Sequence, residues 1–352
     1  SAAIFAACAS AACAPAAPAE RNDLSDLPPL ASPEPASDPL ANLPATFKGE
    51  LPCPDCPGVR YHLNLFPDQT YNLRVETVGR ADGTKDDLGG WVLSSDRRAV
   101  VLKGSRGTEF FGLASGAALR KLDADAREID TSKQYDLKRG TRFEPIDVAL
   151  ALRGAYVYMA DSGSFTECST GRRWPVAAEG ANAELERAYL AARPATGQAV
   201  VMSVEGRIAP RTRLDGTGTR PTLIVDRVIG SVSNQTCGQR YSSLPFEGTD
   251  WKLVRVGSKP VSGRASLTLD PSQLNYAGSG GCNQIAGSYE RNGALVTFTA
   301  AINERRTCPT GMDVDQEFRA ALTETRRWRV LGAILELQDS GGKMLARLEG
   351  ER

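Results

Sequence analysis

Gly49-Glu50-Leu51-Pro52-Cys53-Pro54-Asp55-Cys56-Pro57-Gly58 leads straight into an alternating run, Tyr61-His62-Leu63-Asn64-Leu65-Phe66. The cysteine pair therefore opens a strand and not a helix. Successive side chains of an extended chain point to opposite faces. Tyr61, Leu63 and Leu65 share one face, and His62, Asn64 and Phe66 share the other. After the turn Pro67-Asp68-Gln69 the alternation resumes at Tyr71, Leu73 and Val75. The reading is an antiparallel hairpin with one buried face and His62 solvated on the polar one.

Outward from this hairpin, short apolar runs recur at Trp91-Val92-Leu93, Val100-Val101-Leu102, Phe110-Phe111 and Ala118 to Leu122, separated by Gly and Asp turns. That spacing predicts a small antiparallel β-barrel or sandwich over residues 44–140. A second domain is expected over 145–240. Its strands are Ala149 to Met159, Gln198 to Ile208 and Pro221 to Val228, and one helix intervenes. Asn182 is placed at the helix N-cap, and Leu185, Ala188, Tyr189 and Ala192 form one apolar stripe. A few strands with a single helix fit an OB-like barrel.

A third domain is expected over 246–350, beginning with the strand Trp251 to Val254. The run Gly278-Ser279-Gly280-Gly281 reads as a tight turn presenting Cys282, and Asn292-Gly293 as a hairpin turn. A helix starts at Asp313 with Gln316 completing a capping box, and Val314, Phe318, Ala321 and Leu322 face the core. The fold class is mainly β, the third domain being α+β. Ahead of all three, residues 14–43 are rich in Ala, Pro, Ser and Asp and read as a flexible tether.

Lys+Arg and Asp+Glu both number 42 in the 352 residues, so no basic excess argues for nucleic acid as a partner. His62 is the single histidine, which nearly excludes a His-rich metal enzyme. No run is long and apolar enough to span a bilayer. Eight cysteines are many for a cytosolic protein. Cys53/Cys56, Cys168/Cys237 and Cys282/Cys308 fall one pair to each expected domain, the pattern of a disulfide framework in an oxidising compartment. The first thirteen residues are small and apolar, like the tail of a secretory signal. Phe5-Ala6-Ala7-Cys8 and Ser10-Ala11-Ala12-Cys13 resemble lipid-attachment sites. Lipidation of Cys13 leaves six cysteines to pair; Cys8 is the alternative, and an Ala-rich signal without lipid is a third reading.

The chemistry open to these residues is narrow. A redox-catalytic CxxC sits at a helix N-terminus, where the helix dipole lowers a thiol pKa; here Pro57-Gly58 and a strand follow. Two thiolates suit Cu(I), which accepts few soft ligands, whereas zinc wants four. Cys53 and Cys56 are therefore metal-ligand candidates when reduced, and otherwise close a small disulfide. The other two pairs read as structural staples. Asp86-Asp87 read as solvated turn carboxylates, Arg305-Arg306 and Arg326-Arg327 as exposed charge, and no nucleophile elbow or phosphate loop is present.

The stretch Gly49 to Val59, with Tyr71 and Leu73, closely resembles the motif of the NlpE-type outer-membrane lipoproteins. That family is linked to copper resistance and envelope-stress sensing. Gly154-Ala155-Tyr156-Val157-Tyr158-Met159-Ala160-Asp161, Phe165-Thr166-Glu167-Cys168, Trp174-Pro175-Val176 and Leu185-Glu186-Arg187-Ala188-Tyr189 resemble that family's OB-like part. Trp251, Gly281-Cys282-Asn283, Gly287, Tyr289, Cys308-Pro309, Phe318 and Leu322 resemble a META, or HslJ-like, domain, which usually carries Thr where this chain has Glu304.

The resemblance implies a non-enzymatic lipoprotein of the bacterial envelope, anchored by lipid in the outer membrane and facing the periplasm. It implies signalling to an inner-membrane stress-sensor protein, a possible report of redox state by Cys168/Cys237, no obligatory cofactor, and Cu(I) at reduced Cys53/Cys56. Two rival functions stand beside it. One is a carrier of a small ligand or lipid inside a β-barrel, the other a stress-induced structural lipoprotein without a sensing role.

Overall fold

The computed structural model describes residues 38–350, apart from positions 131, 133, 194, 214–215, 233–235 and 301–306. Cys8, Cys13, Glu304 and Arg305-Arg306 lie outside the described residues, as does most of the expected tether.

Eight strands form the first body: β1 (Ala45–Leu51), β2 (Val59–Leu65), β3 (Thr70–Thr77), β4 (Thr84–Leu93), β5 (Ala99–Gly104), β6 (Gly107–Ala114), β7 (Ala118–Lys121) and β8 (Asp136–Arg139). Each pairs antiparallel with the next, and Phe47↔Arg139 and Lys48↔Lys138 join β8 back to β1, closing the barrel. Leu63, Leu65, Tyr71, Leu73, Trp91, Val100, Leu102, Phe111, Leu119 and Leu137 form its core. These large side chains fill the lumen, as an eight-stranded barrel permits, and that argues against a carrier. Residues 38–43, expected in the tether, belong here: Leu40 and Leu43 pack on this core, and Arg139 donates to the Pro39 and Asn42 carbonyls at 3.0 and 3.1 Å.

Asp86 and Asp87 are not in a turn. Both lie in β4, and Asp87 is 3% exposed. It points inward with Trp91 and accepts from the Tyr71 hydroxyl at 2.7 Å and from the Ser105 amide at 3.1 Å and hydroxyl at 2.7 Å. Asp86 faces outward and takes a bidentate Arg74 at 2.7 Å and the Ala149 amide at 2.8 Å.

The second body comprises β9 (Ala149–Met159), β10 (Ser162–Glu167), β11 (Arg173–Pro175), α1 (Asn182–Ala192), β12 (Val200–Thr212) and β13 (Thr219–Val232). Sheet order is β11-β10-β9-β12-β13, and a parallel bridge, Val176↔Leu223, brings the two ends together. Helix α1 covers the core with Leu185 and Tyr189. Asn182 is not the cap: Ala181 holds that position without a side-chain hydrogen bond, and Asn182 instead bonds Glu186 at 2.6 Å.

The joint between the two bodies overturns the one-faced hairpin. Asn64 is fully buried on the outer side of β2. It donates to Thr46 Oγ1 at 2.7 Å and to the Glu144 carbonyl at 2.9 Å. His62 is half-buried, with Nε2 3.0 Å from the same carbonyl. Burial pushes the imidazole below its ordinary pKa of 6.5. The unfolded chain then binds more protons than the folded one in that window. Stability is therefore present above the ordinary value and is lost as pH falls through the folded one. Between about pH 7.5 and about pH 5.5 the unfolding midpoint should fall more for the native chain than for His62→Gln; equal slopes in urea titrations would refute this.

The third body comprises β14 (Trp251–Val256), β15 (Lys259–Pro260), β16 (Ser266–Asp270), β17 (Asn275–Ser279), β18 (Gln284–Asn292), β19 (Leu295–Ala300), α2 (Met312–Glu324), β20 (Arg327–Leu331), β21 (Ile334–Gln338) and β22 (Met344–Gly350). Pairing of β14 with β22 closes this sheet as well. Trp251, Leu267, Tyr289, Phe318, Leu335 and Leu348 lie in a core of its own. Helix α2 starts one residue before the expected position, capped by Gly311 in the left-handed conformation and not by a capping box. The β18–β19 turn is Gly293-Ala294, with Gly293 at φ +59°. Glycine at the first central position suits a type II′ turn.

Candidate functional site

The CxxC connects β1 to β2, held at its base by the pair Leu51↔Val59. Cys53 and Cys56 are joined in a disulfide with Cα atoms 5.3 Å apart, both half-buried, with Pro54 and Asp55 exposed between them. Gly58 is buried against Glu50: a Cβ there would lie 2.8 Å from the Glu50 carboxylate. Arg60 bridges Glu50 at 2.9 Å and Glu76 at 3.3 Å beside it. The loop is thus an exposed oxidised tip on a pinned base. A strand and not a helix N-terminus follows the loop, so the helix-dipole arrangement of redox-catalytic CxxC motifs is not formed here. Among the described residues no group of three or more His, Cys, Asp or Glu side chains could hold a metal. The four methionines lie in β9, β12, α2 and β22, away from the barrel strands. The tip offers two sulfurs, and these could act as soft thiolate ligands only once the disulfide is reduced.

Cys168 and Cys237 are joined with Cα atoms 4.7 Å apart, both half-buried. Cys168 begins the β10–β11 loop, which is built around the buried Glu167 carboxylate. The Ser169 and Thr170 amides donate to it at 2.9 and 2.8 Å, and their hydroxyls at 2.8 and 2.6 Å. Four donors satisfy a charge that would otherwise be costly to bury. The loop ends in Arg172, whose guanidinium stacks 4.3 Å from the Phe66 ring of the barrel and 5.6 Å from Trp174. Burial holds Arg172 below its ordinary pKa. Cys237 lies on the strap leading to the third body, and Arg240 on that strap donates to the Gly171 carbonyl at 3.1 Å. The bridge therefore ties the strap to an OB-domain loop whose other end, Arg172, stacks on the barrel.

Cys282 and Cys308 are also joined, Cα atoms 5.9 Å apart. The turn carrying Cys282 is fixed from α2. Asp315, 1% exposed, accepts from the Asn283 amide at 2.9 Å and from Arg319 Nε at 2.7 Å. The sequence places the cysteines correctly but conceals Asp315, Arg172 and the strap. Asp315 does leave a signal: it lies three residues before Phe318 and seven before Leu322, on the helix's apolar stripe.

Residues 47–132 match the NlpE N-terminal domain, 147–238 the NlpE C-terminal OB domain, and 244–352 the META domain. Lipoprotein NlpE of Escherichia coli (strain K12) is 35% identical over 208 residues, which are 58% of this chain and 85% of that protein. A crystal structure described as the Cpx pathway activator NlpE from Escherichia coli is 33% identical, covers 55% of this chain and 98% of its own, and has a TM-score of 0.25. No helix among the described residues is long and apolar enough to cross a membrane. It is the sequence identity over most of a shorter relative, domain by domain, that places this chain in the NlpE lipoprotein family, with a META domain following the OB domain.

Proposed function

We propose that this chain is an envelope stress-signalling lipoprotein that acts through protein–protein contact. The observation that carries the reading is the 35% identity across 85% of Lipoprotein NlpE, whose crystal structure is described as that of a Cpx pathway activator. Lipid on Cys13, or on Cys8, would anchor it in the outer membrane facing the periplasm, with an inner-membrane stress sensor as partner. Among the described residues no catalytic constellation carries a reaction, and none is assigned. The lumen filled by Phe47, Tyr71, Trp91 and Phe111 favours this reading over a carrier. Overproducing the chain in a bacterium deleted for its own relative should raise the output of an envelope-stress reporter. Unchanged output from a correctly exported, lipidated chain would sink the proposal.

Copper is a second reading, confined to the reduced barrel tip. Cys53→Ser with Cys56→Ser should abolish Cu(I) capture by the reduced protein in competition with a chromogenic chelator. So short a bridge stabilises by only ~2 kcal/mol in the loop-entropy model, so the barrel should stay folded. Unchanged Cu(I) affinity in the double variant removes copper from the function.

A further inference from the structure

Strand β5 opens with Ala99-Val100-Val101-Leu102, four apolar residues in succession, and all four are buried. In a barrel whose strands alternate inward and outward, a continuous run means that something covers the outside. Val100 and Leu102 face the lumen; Val92, Val101 and Phe110 face outward in one cross-strand row. Leu331 of β20, wholly buried, packs in one cluster with that row, together with Leu122 and Ala126.

The covering element is the tip of the β20–β21 hairpin. Leu331 pairs with Ile334, and Gly332 turns between them at φ +70°. Only glycine fits there, because a Cβ would lie 1.7 Å from the Tyr241 hydroxyl of the strap. The backbone is keyed too: the Ser95 amide donates to the Val330 carbonyl at 3.0 Å, and the Val330 amide to Ser95 Oγ at 2.8 Å. Charge completes the fit. Asp125 of the barrel takes Arg255 and Arg347 from the META domain, each at 2.7 Å. Glu336 takes Arg329 at 2.8 Å behind them.

The barrel and the META domain each have a main core separate from this shared cluster. Contacts between domains with cores of their own resemble transient protein interfaces, and ion pairs to the partly exposed Asp125 carboxylate add little strength. We propose that the outer wall of β4–β6 is a protein-docking surface for an aliphatic β-hairpin tip flanked by arginines. The META domain fills it in cis, and a second protein carrying such a tip competes for it in trans.

The test uses the full chain and a disulfide-cyclised peptide of residues 327–338 as the trans probe. The native chain should resist trypsin at Arg240 of the strap and should not bind the peptide. Leu331→Asp lies outside the META core, so it should open the contact, speed cleavage at Arg240 about tenfold, and create a binding site for the peptide. Asp125→Asn touches neither core and should shift both readouts the same way by a smaller factor; it decides the matter if Leu331→Asp misfolds. Unchanged cleavage in these variants overturns the cis contact. Faster cleavage with no gain in peptide binding overturns the docking surface.

Discussion

Replacing Cys168 and Cys237 by serine should lower the unfolding free energy of the OB domain by ~4 kcal/mol, the loop-entropy value for a bridge of this span. The bridge spans 69 positions of sequence and encloses β11, α1, β12 and β13. Its loss also frees the strap and the loop that ends in Arg172. Urea unfolding followed by tryptophan fluorescence measures the change, with Trp174 reporting the domain. The same variant separates two routes by which reduction could act. Opening the bridge moves the covalent anchor of the strap from Cys237 back to the end of β13 at Val232. Local concentration falls roughly as the −3/2 power of tether length, so META docking should weaken only about twofold. A redox signal would therefore have to come from a softened OB domain and not from a released META domain. An unfolding midpoint unchanged from the native chain, or faster tryptic cleavage at Arg240 without any loss of OB stability, would contradict this division.

The second large effect lies at Asp315. Asp315→Ala leaves the Arg319 guanidinium and the Asn283 amide without their buried acceptor. Removing one partner of a buried ion pair costs about 3–5 kcal/mol. Asp315→Asn keeps an oxygen for the Asn283 amide but drops the charge facing Arg319, so its loss should be smaller. Both variants should unfold the META domain at lower urea, read through Trp251, while the barrel transition stays in place. Equal and small losses in the two would show that the carboxylate merely occupies space. Because the Asn283 amide adjoins Cys282, the alanine variant should also expose Cys282–Cys308 to reductant sooner.

Alternation and turn residues carried most of the architecture into view. The strand runs of the barrel, the single helix of the OB domain and Phe318 and Leu322 of α2 stand where periodicity put them. The three cysteine pairs close as their distribution among the domains suggested. Residues whose environment comes from another body were opaque. His62 and Asn64 alternate with Leu63 and Leu65 like solvent-facing residues, yet a carbonyl eighty residues away covers them. Asp87 resembles a turn carboxylate because Asp86 precedes it; only its two-residue step to Gly89 and Trp91 marks it as lumenal. Helix caps misled for a local reason. Asn182 and Asp313 have the right chemistry, but Ala181 and Gly311 already hold the backbone geometry that starts each helix. The double-sided apolar run of β5 was the one plain sign that a domain must sit outside the barrel.

That run has a consequence for how the chain is made. The barrel is complete at Arg139, whereas the residue that covers its outer wall is Leu331. During synthesis from the N-terminal end, Val92, Val101 and Phe110 stand open to water until roughly 190 further residues have followed. Over that interval the half-made protein displays an adhesive face that the finished one lacks. A holding chaperone should therefore bind nascent or C-terminally truncated chains far more than the finished one. Any lesion that stops the chain before β20 leaves that face permanently bare.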